Sequence, residues 1–165
     1  MKRIILALMV CASLTFSCSE DKDEDVMLES TALVGVWKFS KIEATDASGN
    51  IKLANDILTV LVASGCDILN YNFKEDQTVT ASFRDFTETG NSVNSGGTGL
   101  LIQCPQNVQA SSSVWSLEGD KLSFIDGKGR KVTVSISIDG DTLTVPGEVI
   151  NADNLTGTNA LFKKQ

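Results

Sequence analysis

The chain has 165 residues, with 21 acidic and 14 basic side chains, four cysteines, two prolines and no histidine, a length that suits one domain. Without histidine it has no Ser-His or Cys-His nucleophile system, none of the common zinc sites and no imidazole base near neutral pH. A net charge of −7 and an isoelectric point near 4.5 argue against nucleic acid or anionic lipid as the main partner, because both require basic surface.

Lys2 and Arg3 precede residues 4–16, a stretch without charge that ends at Ser17 and Cys18. A basic start, a short apolar run and a small residue form the layout of a signal peptide. The run falls short of the roughly 20 apolar residues that span a bilayer, so residues 1–17 are expected to be removed. Leu14-Thr15-Phe16-Ser17-Cys18 resembles the lipobox of bacterial lipoproteins, with Thr15 where a leucine is usual. The resemblance implies a lipid such as palmitate on Cys18, membrane attachment through that anchor and an outer-membrane location; the alternative is a soluble secreted protein. Cys11 is a poorer anchor, since bulky Val10 precedes it. Residues 18–32 then read as a tether, because Ser19-Glu20-Asp21-Lys22-Asp23-Glu24-Asp25 is too charged to bury anything. This run resembles the acidic export tag of surface lipoproteins in the Bacteroides group, which implies display on the cell surface; a plain spacer is the other reading. Removing residues 1–17 takes away two bases and no acid, leaving 21 acidic against 12 basic side chains, a net charge of −9.

From Leu33 onward, short alternating segments separated by turn residues give an all-β pattern over residues 33–165. Trp37 and Phe39 open it. Residues 53–64 then carry Leu53, Ile57, Leu58, Leu61 and Val62 at helical spacing and stop at Gly65, which predicts a helix, with a buried strand as the alternative. Cys66 and Cys104 are the two thiols left once Cys11 is discarded and Cys18 acylated. An even pair in an exported domain reads as a disulfide, which would stabilise the fold by roughly 4 kcal/mol in the chain-entropy model. A reactive or metal-binding pair is the alternative, without a CxxC, histidine or basic cluster to support it.

Alternation continues through Leu69, Tyr71 and Phe73, then Val79, Ala81 and Phe83. Residues 88–99, rich in Gly, Ser, Asn and Thr, read as a long mobile loop. Trp115 and Leu117, Leu122 and Phe124, and residues 131–138 complete the series. In the last, Val132, Val134, Ile136 and Ile138 face one way and Thr133, Ser135 and Ser137 the other. Lys74-Glu75-Asp76-Gln77, Glu118-Gly119-Asp120, Asp126-Gly127-Lys128-Gly129 and Asp139-Gly140-Asp141 read as hairpin connectors, where Asp and Gly tolerate positive φ. About eight strands joined by short turns predict an antiparallel up-and-down β-barrel with one short helix near its start, against a two-sheet β-sandwich, which would need crossovers.

Leu33-Val34-Gly35-Val36-Trp37-Lys38-Phe39 resembles the GxW opening of lipocalin-like proteins. The order of GxW, short apolar segment, Cys66, the Tyr71–Thr78 region, Cys104 and the hairpin around Gly119 is similar to lipocalin-like lipoproteins of Bacteroides-type bacteria, over roughly residues 33–164. That resemblance implies a calycin-like barrel, with Trp37 closing one end and the cysteine pair tying loop to strand. Lipocalins often set an arginine of the last strand against the tryptophan; Leu161-Phe162-Lys163-Lys164 offers lysine instead.

Most candidate catalytic carboxylates fall in turns: Asp76, Glu118, Asp120, Asp126, Asp139 and Asp141. Turn chemistry accounts for them. Asp139-Gly140-Asp141 lacks the further ligands of an EF-hand, and there is no phosphate-binding glycine loop and no GxSxG, so no metal, cofactor or enzymatic activity is expected. Asn154-Leu155-Thr156 matches a glycosylation acceptor pattern. The remaining candidates are aromatic. Trp37, Phe39, Tyr71, Phe73, Phe83, Trp115 and Phe124 either fill the barrel as core or line a cavity for a small hydrophobic ligand. The leading expectation is a surface lipoprotein whose barrel binds such a molecule. The rival is an accessory envelope protein with a filled barrel and a protein or glycan partner at its loops.

Overall fold

The computed structural model describes residues 29–44, 50–84, 92–93, 100–101, 103–151 and 155–165. The expected signal peptide, Cys18 and the charged run after it, Asn154, and the loop 88–99 apart from residues 92–93 lie outside the described residues.

A short helix α1 (Ser30–Leu33) leads into β1 (Gly35–Ala44), and α2 (Asn50–Ala63) follows. Then come β2 (Leu69–Phe73), β3 (Thr78–Arg84), the two-residue strands β4 (Ser92–Val93) and β5 (Leu100–Leu101), and β6 (Val108–Glu118). The chain ends with β7 (Lys121–Ile125), β8 (Lys131–Ser135), β9 (Ser137–Asp139), β10 (Thr142–Pro146), a 3-10 turn over Gly147–Val149 and β11 (Thr158–Lys164). The β4–β5 pair stands apart from the main sheet.

Nine strands form one antiparallel sheet in the order β8-β7-β6-β3-β2-β1-β11-β10-β9. Its two ends are neighbours in sequence. β8 and β9 are halves of one segment interrupted at Ile136, the first half pairing with β7 and the second with β10. The sheet thus returns on itself as a nearly closed barrel whose neighbouring strands follow one another along the chain as in a meander, rather than by the crossovers of a sandwich. The expected continuous strand 131–138 is corrected to this pair: Ile136 is buried and its N–H donates to the Asp120 carbonyl at 2.9 Å, bending the segment from one neighbour to the other. Its alternation holds, with Val132, Val134 and Ile138 partly buried and Thr133, Ser135 and Ser137 exposed.

In β1 the inward row is Trp37, Phe39 and Ile42, a change from odd to even positions. A bulge between Phe39 and Lys41, opposite β11, inserts the extra residue that shifts the row. The predicted helix is α2, lying over the open end of the barrel. It ends as its sequence suggests: Gly65 takes φ +82°, the Gly65 N–H bonds the Val62 carbonyl and the Cys66 N–H bonds the Leu61 carbonyl, a Schellman stop. The Asn55 side chain accepts the Ile42 N–H at 3.2 Å and pins α2 to β1 just past the bulge.

The opposite end is filled. Trp37, Leu33, Phe162 and Leu143 have no exposed surface. A run of rings, Phe39–Phe162–Tyr71–Phe73–Trp115, has neighbouring centroids between 5.1 and 5.9 Å apart, each contact adding about 0.5–1.5 kcal/mol beyond its buried area.

Candidate functional site

The barrel interior changes character along its length because inward-facing side chains change size. Near the closed end they are Trp37, Phe73, Trp115 and Leu122; toward the open end β3 and β6 present Ala81, Ser111 and Ser113. Small residues facing one another across paired strands leave space that large neighbours would fill.

That space is a cavity of about 700 Å³ under α2. The barrel wall contributes Phe39, Ile42, Leu69, Tyr71, Ala81 and Phe83 with Arg84 and Ser111; α2 contributes Ile51, Ala54 and Leu58; Val149, Ile150, Asn151 and Leu155 complete it. A further cavity of about 230 Å³ continues toward the β6–β7–β8 side, sharing Tyr71, Ala81, Ser111 and Val149 and adding Phe73, Val79, Leu122, Phe124 and Val145. A more open and more polar depression of about 530 Å³ lies between the start of α2 and the β1–β11 edge, with Lys41, Glu43, Asn55 and Asn159 around it.

The seven aromatic candidates divide accordingly. Phe39, Tyr71 and Phe83 line the larger cavity, and Tyr71, Phe73 and Phe124 line the smaller. Phe83, at 38% exposure, sits toward the mouth. Trp37 and Trp115 line neither. The Trp115 Nε1–H donates to the Thr78 carbonyl at 3.1 Å and its ring meets Phe73 edge-on. The Trp37 Nε1–H donates to the Leu33 carbonyl at 2.7 Å, tying α1 over the closed end.

The lysine at the chain's end takes up the place where an arginine is usual. Lys164 Nζ lies 5.1 Å from the centre of the Trp37 ring and donates to the Ala32 carbonyl at 3.0 Å, so it combines a cation–π contact with a tie to α1. Gly35 makes room for it: a Cβ there would fall 2.9 Å from Lys164 Cε, on a backbone at φ +134°.

Tyr71 stands where the two cavities meet. Its ring packs against Phe162 and Phe73, and burial pushes its hydroxyl up to about 12. Three of the turn carboxylates are engaged within their own turns. Asp76 holds Thr78 by side chain and backbone, Asp120 meets Lys121, and Asp126 takes the Arg130 and Lys128 backbone N–H groups and the Arg130 guanidinium. Those hydrogen bonds hold all three carboxyls below the usual range. Among the described residues no group of three metal-ligating side chains comes together.

Cys66 and Cys104 form a disulfide, with Cα atoms 5.6 Å apart. It fastens the end of α2 to the segment that leads into β6, at the rim of the larger cavity. Arg84, to which nothing in the sequence draws attention, is among the residues around that cavity. Its Nε donates to the Asp67 carbonyl at 2.9 Å and Nη1 to the Pro105 carbonyl at 2.6 Å.

A family model described as a lipocalin-like domain matches residues 33–145. No curated protein matches the chain. Among solved structures, a lipocalin-like protein from Bacteroides uniformis is similar at 16% identity and a TM-score of 0.44, covering 81% of this chain and 99% of that one.

Proposed function

The chain belongs to the lipocalin-like domain family, and from that premise we propose that it is a non-enzymatic binding protein that captures a small, largely hydrophobic molecule in the cavity under α2. One observation carries the reading: the open half of the barrel holds about 700 Å³ bounded mainly by apolar side chains, within the range of small-molecule sites. A filled barrel acting only through its loops would have large side chains at Ala81, Ser111 and Ser113. Asp76, Asp120 and Asp126 are engaged in hydrogen bonds within their own turns, and no carboxylate is among the described residues that line the cavity.

The sequence of the first 32 residues supports a place for this activity. We propose that Cys18 carries a lipid after residues 1–17 are removed, and that the acidic tether holds the barrel away from the outer membrane on the cell surface. No partner beyond the ligand and the membrane anchor is needed, and the acidic surface disfavours nucleic acid.

Titration with the neutral fluorescent probe N-phenyl-1-naphthylamine tests the cavity. Saturable binding of one probe per chain is expected, weakened when Ala81 or Ser111 is replaced by a large residue. Binding that is absent, or indifferent to both substitutions, refutes the reading.

A further inference from the structure

Tyr71, Ala81 and Ser111 stand in one row across β2, β3 and β6, with Tyr71 opposite Ala81 and Ala81 opposite Ser111. All three line both cavities, and among the described residues Tyr71 and Ser111 are the only polar side chains that do. Their hydroxyls are uncommitted. The next two serines of β6 are engaged, Ser112 with Thr80 and Ser113 with the Ile125 carbonyl, whereas no hydrogen bond among the described residues uses Ser111 Oγ or Tyr71 Oη. Asn70 Oδ1 is the one described side-chain polar atom that is fully enclosed without a partner. Tyr71 Oη, also without one, is therefore open to space. Its side chain shares the inward row of β2 with the buried Leu69 and Phe73, so that space is the cavity. Neighbouring positions along such a row are about 5 Å apart, and the two hydroxyls flank the place that Ala81 leaves empty.

A hydroxyl away from bulk water is costly without a partner, and a ligand oxygen supplies one. The surroundings also set the charge of that oxygen. Burial is what raises the Tyr71 phenol, and a place that disfavours a phenolate disfavours other ions beside it. On both sides the lining is apolar, Leu58 and Leu69 in the larger cavity and Leu122 and Val145 in the smaller. An oxygen at the junction therefore belongs to the middle of a molecule and not to its end. We infer that the cavity takes a largely apolar molecule with a neutral carbonyl or hydroxyl oxygen within its body, seated over Ala81, where it accepts the Tyr71 O–H and, as a second donor, the Ser111 O–H. The inference rests on the small-molecule reading above and gives that reading a chemical class.

Competition for bound N-phenyl-1-naphthylamine by fluoren-9-one and by fluorene, which share one skeleton and differ by a central oxygen, tests it. Tyr71→Phe is expected to lower the ketone-to-hydrocarbon affinity ratio by about fivefold to tenfold, the range for one net hydrogen bond, and adding Ser111→Ala to lower it further. The infrared carbonyl stretch of fluoren-9-one bound to the unmodified protein is expected at the lower frequency of a hydrogen-bonded ketone, and to move back in Tyr71→Phe. A ratio that Tyr71→Phe leaves unchanged overturns the inference. So does a carbonyl band in the unmodified protein at the position it has in a hydrocarbon solvent, a result that needs no variant to fold. If the neutral probe itself fails to bind, the cavity reading falls and takes this inference with it; if the probe, fluorene and fluoren-9-one all bind and the ketone makes no hydrogen bond, only the oxygen site is wrong.

Discussion

Replacing Ala81 by leucine distinguishes a hollow interior from a packed one by the sign of a stability change. Ala81 faces inward on β3, opposite Tyr71 on β2 and Ser111 on β6, and lines both cavities. Leucine adds three carbons there. At about 0.8 kcal/mol per buried methylene the gain is about 2.4 kcal/mol, and loss of rotamer freedom takes back about 0.5–1 kcal/mol. A net stabilisation of about 1.5 kcal/mol is expected, because the side chain fills existing space. In a close-packed barrel the same change would force strain and cost about 1–3 kcal/mol. Urea unfolding followed by the fluorescence of Trp37 and Trp115, both buried, reads the difference. With a slope of about 1–3 kcal/mol per molar, the midpoint should rise by roughly 0.5–1.5 M. The neutral probe should bind more weakly to the same variant. A midpoint that falls, with probe binding intact, refutes the claim that this part of the barrel is empty.

Removing the disulfide by Cys66→Ala with Cys104→Ala should lower the unfolding free energy by about 4 kcal/mol, since the bridge joins positions 38 residues apart; a loss under 1 kcal/mol in urea unfolding would show that the bridge constrains little. Trp37→Phe deletes the buried 2.7 Å bond to the Leu33 carbonyl and should cost about 1–3 kcal/mol, and a neutral result in the same assay would mean that α1 is not held through the indole. Burial raises Tyr71 from 10.0 to about 12, so its stabilising share is complete below pH 10 and is lost as pH climbs toward 12. The loss is at most about 3 kcal/mol for a rise from 10.0 to about 12, and a Tyr71→Phe protein that falls off identically above pH 10 would exclude it. Cys18→Ser should abolish labelling by an alkynyl palmitate in source cells and release the protein from the membrane fraction; continued labelling would place the lipid elsewhere.

The barrel was legible where side chains alternate strongly, as in residues 131–138 and around Trp115. It was less so where alternation is weak. The first half of β6, Val108 to Val114, reads as serine-rich and polar because its outer face is exposed and its inner face looks into a cavity. The bend at Ile136 left no mark, since a buried isoleucine keeps the two-residue rhythm while its N–H changes partner. Turn connectors and the helix stop at Gly65 were readable because each depends on local chemistry, and the cysteine pair because two thiols were left to join. The site was half readable. Five of seven aromatic candidates border a cavity, but what creates the space is the small size of Ala81, Ser111 and Ser113, and an absence of bulk stands out only when strands are paired. Arg84 gave no signal either, because its place is set by two carbonyls that follow Cys66 and Cys104 and come from distant parts of the chain.

Native mass spectrometry of the protein released gently from source membranes tests the central claim most directly. The account predicts a discrete small-molecule adduct, at one per chain, that dissociates on denaturation and yields a small, largely apolar compound. A protein that carries no adduct as isolated, and that takes up no N-phenyl-1-naphthylamine when this is added back, would contradict it.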